Sequence, residues 1–124
     1  MEKTRSKSLY YVVIAILVVA AVLFIYQNQK EEVLQIGVIQ IVEHPALDSA
    51  RQGFMKVLEE NGYVEGENVE YDVQIAQGDM STANTIAQKM DAENPDIVVA
   101  IATPTAQAAA NNIKDTPVLI TAVT

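Results

Sequence analysis

The chain has 124 residues, with eight basic and sixteen acidic side chains for a net charge of −8, one histidine and no cysteine. That length holds one domain with a modest core. Without cysteine there are no disulfides, no thiolate metal sites and no lipid-attachment cysteine, and the acidic balance argues against nucleic acid, which needs clustered Lys and Arg.

Leu9–Tyr26 reads LYYVVIAILVVAAVLFIY, without a charge or a proline. As a helix rising ~1.5 Å per residue it spans roughly 27 Å, close to the hydrocarbon thickness of a bilayer. It carries no polar stripe, so a membrane segment is expected rather than a buried core helix. Lys3, Arg5 and Lys7 precede it against the single acid Glu2, which keeps residues 1–8 in the cytoplasm and sends the body outward. The run exceeds the core of a usual signal peptide, and its only small-residue pair, Ala20-Ala21, lies inside it. An uncleaved, single-pass signal anchor is therefore expected. Tyr10, Tyr11 and Tyr26 suit the two interfaces.

Residues 27–32 (QNQKEE) read as a short spacer. Beyond Tyr26, five bases stand against fifteen acids, a net −10 that also disfavours a body lying on an anionic leaflet. Val33–Val42 is a nearly continuous apolar run, as in a strand covered on both faces. Ala46–Asn61 has Leu47, Ala50, Phe54, Val57 and Leu58 on one helical face, and Asn61-Gly62 is its stop. Val69–Ala76 alternates as a half-exposed strand near a sheet edge. Asp79–Thr82 offers capping groups to a helix over Ser81–Glu93, with Ala83, Ile86, Ala87 and Met90 inward, and Asn94-Pro95 ends it. Asp96–Ala102 is a buried strand, Thr105–Ile113 a helix, and Val118–Val123 a strand that reads as central. Strands alternating with helices predict an α/β lobe with a parallel sheet, right-handed crossovers and helices on both faces. A central strand running out at Thr124 leads us to expect the N-terminal portion of a longer protein.

In such sheets ligands gather beyond the carboxyl ends of the strands. Thr103-Pro104-Thr105 is the first candidate there. Thr103 reads as an N-cap and Pro104 as the first helical residue, where its missing N–H costs nothing. Ala106 stands where a capping box would place Glu or Gln. The helix start thus has no carboxylate of its own, unlike those near Asp48 and Asp79, and its N–H groups and two threonine hydroxyls suit a carboxylate or phosphate. An ordinary capped helix is the plainer alternative. His44 and Leu47 form the second candidate, bordering a pocket for an apolar or aromatic group with Glu43 or Asp48 available to an ammonium; alternatively His44 merely caps the helix ahead of Pro45. Glu65–Asp72 reads as a solvated edge. No nucleophile with a partner base, no metal-ligand cluster and no phosphate or dinucleotide loop motif is present, so no catalytic residue, metal or cofactor is expected.

The segments IGVIQIVEHPALDSARQGFMKVLEENGYVEGENV, QGD, DIVVAIATPTAQAAA and TPVLITAVT resemble, in order and spacing, the substrate-binding proteins of ABC importers, most nearly the branch associated with tryptophan and tyrosine. The resemblance covers Leu34–Thr124. It implies a type I periplasmic-binding-protein fold, of which residues 33–124 would form the first lobe, with a second lobe beyond the chain. It further implies that Thr103, Pro104, Thr105 and Ala106 hold a ligand carboxylate, that Gln40, His44 and Leu47 lie along the ligand's side chain, and that Thr124 leads towards the cleft. The partners it implies are a small amino-acid-like ligand and ABC permease subunits. Many relatives carry a lipid-attachment cysteine; here Leu9–Tyr26 would have to serve. A sensor domain of the same fold, reporting ligand to a partner instead of feeding a transporter, is the alternative, and an enzyme would need a catalytic group outside this sequence.

Overall fold

The computed structural model describes residues 2–28 and 32–124, with side chains from Ser6 onward. It separates into two units, Met1–Glu31 and Glu32–Thr124. The first is a single helix, α1 (Glu2–Gln27), apolar on every side along its middle. Within it, Ser6–Gln27 is long and apolar enough to cross a membrane. Half of the expected spacer, residues 29–31, lies outside the described residues.

The second unit runs β1 (Leu34–Gln40), α2 (Pro45–Glu60), β2 (Val69–Ile75), α3 (Met80–Glu93), β3 (Ile97–Ile101), α4 (Thr103–Asn112) and β4 (Val118–Thr121). All pairings are parallel, and the strand order is β2-β1-β3-β4. This is the α/β lobe that the alternating periodicity predicts. The chain steps from β1 to β2 on one side and then back past β1 to β3, so the order reverses between β1 and β3.

Alternation along the strands sends successive side chains to opposite faces and so builds two cores. Ile36, Val38, Val99 and Ile101 meet Leu47, Ala50, Phe54 and Leu58 of α2. Ile39, Val98 and Ala100 meet Ala83, Ile86, Ala87 and Met90 of α3, together with Ala106, Ala108 and Ala109 of α4. The alanines let α4 approach the sheet closely. Gly37 does the same for α3: a Cβ there would stand 2.8 Å from Met90 Sδ.

Two packing expectations need correction. Val57, placed on the inner face of α2 by spacing, is 56% exposed, because the sheet contacts only the Leu47–Phe54–Leu58 stripe. β4 read as central, yet it is an edge strand in this sheet, with Leu119 49% and Ile120 54% exposed. Its apolar run says that it can be covered, and pairing on one side only leaves it uncovered here.

The helix ends follow local chemistry. Asp79 caps α3 and accepts from Ser81 N–H (3.4 Å), Thr82 N–H (2.8 Å) and the Thr82 hydroxyl (2.6 Å). The Thr82 hydroxyl, then the backbone N–H groups, hold its carboxyl below its ordinary value. A depressed folded value gives a stabilising contribution that is present above the unfolded value, about pH 3.9, and lost as pH falls through the folded value. Wild type should therefore lose thermal stability on acidification through this window relative to Asp79→Asn, which caps without titrating. Parallel melting curves of the two would contradict this role.

Candidate functional site

The sheet register lines up the strand ends: Gln40 pairs with Ile75 on one side and Ile101 on the other, and Ile101 pairs with Thr121. Just beyond this row three non-glycine residues have left-handed backbone, Gln77 (φ 57°), Ala102 (φ 83°) and Ala122 (φ 53°). Ala102 is the most unusual, since φ 83° with ψ 158° is a region that essentially only glycine occupies without strain.

Ala102 is pinned from several sides. Its N–H donates to Thr121 O (3.0 Å), and its own carbonyl accepts from Ala106 N–H (3.1 Å) and the Thr105 hydroxyl (2.9 Å). It, and not Thr103, is the N-cap residue of α4, and no side chain caps that helix. Thr103 instead occupies the first turn. Its hydroxyl faces Thr124, donating to Thr124 O (3.4 Å) and accepting from Thr124 N–H (3.3 Å). Two of the expected groups are thereby brought together, the start of α4 and Thr124.

Thr105 departs from expectation. It is fully buried, and its hydroxyl donates back to Ile101 O at 2.6 Å as well as to Ala102 O. The hydroxyl thus closes the strand–helix junction and does not face the crevice. Ala106 N–H is likewise spent on Ala102 O. Pro104 has no N–H, so the donors left without a protein partner, among the described residues, are the Thr103 and Thr105 N–H groups. The first turn holds no acidic side chain, which leaves the helix dipole uncompensated there.

Gln40, His44 and Leu47 belong to the α2 face. Gln40 is fully buried; its Nε2 donates to Val42 O (2.8 Å) and Asp48 Oδ1 (2.7 Å), while Oε1 is buried with no partner. Asp48 also sits 3.5 Å from Arg51 Nη2, so the carboxylate considered for an ammonium already serves two partners. His44 is exposed and caps α2, its Nδ1 accepting from Ala46 N–H at 3.2 Å, as the plainer reading held. Leu47 is half-buried against the α2-side core. Sequence reasoning missed the tie between Asp48 and Gln40; the available signal was a glutamine at the end of an apolar strand followed by an acid in the next helix's first turn. Asp48→Ala should cost about 1–3 kcal/mol, because Gln40 Nε2 loses one of two acceptors in a buried setting, while Asp48→Asn costs less. Equal denaturant midpoints for wild type and Asp48→Ala would contradict this.

In open parallel sheets with helices on both faces, ligands gather beyond the strand ends where the strand order reverses, and here the bare start of α4 lies beside that reversal. Residues 35–124 match the family described as ABC transporter substrate binding protein. The chain belongs to that family. It is 52% identical over 89 residues to a tyrosine-binding protein of Clostridioides difficile (strain R20291), an alignment covering 72% of this chain and 26% of the relative. The ligand-free, open structure of a substrate-binding protein with adhesive properties from Clostridium difficile superposes with a TM-score of 0.72 at 54% identity, over 74% of this chain and 31% of that one. An ABC domain from Streptococcus pneumonia in complex with L-Trp gives 0.71 at 40% identity, over 75% and 31%. The chain spans about a quarter of the curated relative's length and under a third of each of these solved structures.

Proposed function

We propose that this chain is the first lobe of the extracytoplasmic solute-binding component of an ABC importer, anchored by Leu9–Tyr26, and that it captures a small amino-acid-like ligand between two lobes. The observation that carries this is the start of α4. An unpartnered N–H group at Thr103 and an uncompensated helix dipole lie beside the strand-order reversal, where a ligand carboxylate would be stabilised. The relatives named for tyrosine, or solved with L-Trp, make those two amino acids the first candidates.

In this reading Thr103, Pro104, Thr105 and Ala106 form the turn that holds the carboxylate, with the Thr103 N–H as donor. Gln40, His44 and Leu47 lie along the ligand's side chain, and Thr124 continues towards the crevice. No bond is made or broken. The ligand acts by stabilising the closed arrangement of the lobes through contacts that the open one lacks, and the closed form is what a permease accepts.

The test is calorimetric titration of the complete exported protein with L-tyrosine and L-tryptophan. Saturable binding, accompanied by a rise in Tm, is expected. No heat with either amino acid, and no shift in Tm, would overturn the reading. Residues 33–124 alone should bind far more weakly, since the opposing lobe is missing.

A further inference from the structure

A second concave feature lies at the other end of the sheet. α2 runs back from the strand ends, and its last two turns meet the start of β2 around a groove of about 460 Å³. Met55, Glu59, Tyr63, Val64, Glu65 and Tyr71 line it. Its surface is mostly carbon, and within its lining Tyr63 is 43% exposed, a large value for an aromatic residue.

Acids outnumber bases at the groove, with Glu59 and Glu65 against Lys56. Glu59 and Glu65 are exposed, and among the described residues neither takes part in an ion pair. Lys56 borders the groove, but its ammonium is 3.9 Å from Glu60 and its side chain is 72% exposed, so it is directed to solvent and to another acid. The Tyr71 hydroxyl is closed off from water and has no hydrogen-bond partner. Burial first, then Glu65, then Glu59 raise its pKa above the ordinary value, so the phenol feels the field of both carboxylates.

We propose that this groove docks a partner protein through a segment bearing a lysine or arginine next to an apolar residue. The cationic head would sit between Glu59 and Glu65, against the tyrosine rings, and its aliphatic stem along Met55 and Val64. Charge complementarity selects the head, since two unpaired carboxylates at an aromatic site favour a cation over any neutral or acidic group. The apolar neighbour covers Tyr63. Tyrosine and methionine are residue types enriched in protein interfaces. The groove faces away from the strand ends, so a partner held here leaves the crevice free. The proposal therefore does not depend on the ligand assigned above.

The probe is the capped tripeptide acetyl-Leu-Arg-Leu-amide, titrated into the isotope-labelled full chain in nonionic micelles, with acetyl-Leu-Glu-Leu-amide as its acidic counterpart. The arginine peptide should shift the amide resonances of Tyr63, Val64, Glu65 and Tyr71, and the acidic peptide should not. The double variant Glu59→Gln/Glu65→Gln, which alters two exposed side chains and leaves the core intact, should weaken binding by about tenfold. Raising ionic strength should weaken it in wild type alone. Shifts centred on residues 102–105, equal responses to the two peptides, unchanged affinity in the double variant, or no response to either peptide would each overturn the proposal.

Discussion

Replacing Thr105 with aspartate is expected to unfold the lobe, not simply to fill the position of a ligand carboxylate. The site is fully buried, and the hydroxyl there donates to two carbonyl oxygens, Ile101 O at 2.6 Å and Ala102 O at 2.9 Å. An aspartate would point a charge at two acceptors in a setting closed to water. The effective penalty for burying an unpaired ion is several kcal/mol, against a total stability of ~5–15 kcal/mol for a small domain. The carboxyl would answer by taking up a proton and donating as the threonine does. Its folded value would therefore lie above the unfolded value of about 3.9. With a raised folded value, the penalty is full at neutral pH and relieved as pH falls through that value, so Thr105→Asp should regain structure on mild acidification while wild type does not. Thr105→Val keeps the shape and removes both bonds, for a cost of about 1–3 kcal/mol. It should still bind ligand, because the Thr103 N–H is untouched. Circular dichroism against pH and a binding titration of the valine variant check both halves. A Thr105→Asp protein that melts like wild type at neutral pH would show that the hydroxyl is not committed to the strand–helix junction.

The threonine illustrates which features the sequence carries and which it does not. Element order was legible because burial imposes a period on each segment: Ile36, Val38 and Ile39 on a two-faced strand, and Ala83, Ile86, Ala87 and Met90 on a helix stripe. The stop at Asn61-Gly62 was legible because Gly62 takes φ 93°, which few other residues tolerate. The cap of α4 was not, because its cap residue is an alanine, which has no side chain to signal the role. Assigning Thr103 to the cap moved every later residue by one place, and Thr105 was then credited with a free hydroxyl that is in fact buried. Val57 and β4 failed for a different reason. Periodicity reports which residues are fit for burial, whereas burial itself depends on what stands opposite. Of the candidate site, the bare start of α4 was legible and the Gln40–Asp48 tie was not, since it joins two elements whose contact no local pattern encodes.

The strained Ala102 leads to a prediction with an unusual sign. A glycine placed in a helix or strand normally costs stability, through the extra freedom it gives the unfolded chain, by about 0.4–1 kcal/mol. At φ 83° and ψ 158°, however, an L-side chain is held where it costs ~1–3 kcal/mol. Removing the Cβ should release more than the entropy takes back, so Ala102→Gly is expected to raise Tm. Ala102→Val, with a branched Cβ in the same backbone, should lower it sharply, by more than any relief glycine gives. The strain persists because its neighbours fix it: Thr121 O holds the N–H, while Ala106 N–H and the Thr105 hydroxyl hold the carbonyl. Those same bonds fix the direction in which α4 begins, and hence where the Thr103 N–H group points. If ligand is held at this turn, the freer glycine backbone should bind it more weakly even as the fold becomes more stable. Stability and affinity would then move in opposite directions, a combination that loss of packing cannot produce. A lower Tm for Ala102→Gly would mean that the backbone there is not strained in solution; a higher Tm with unchanged affinity would separate the strain from the ligand turn.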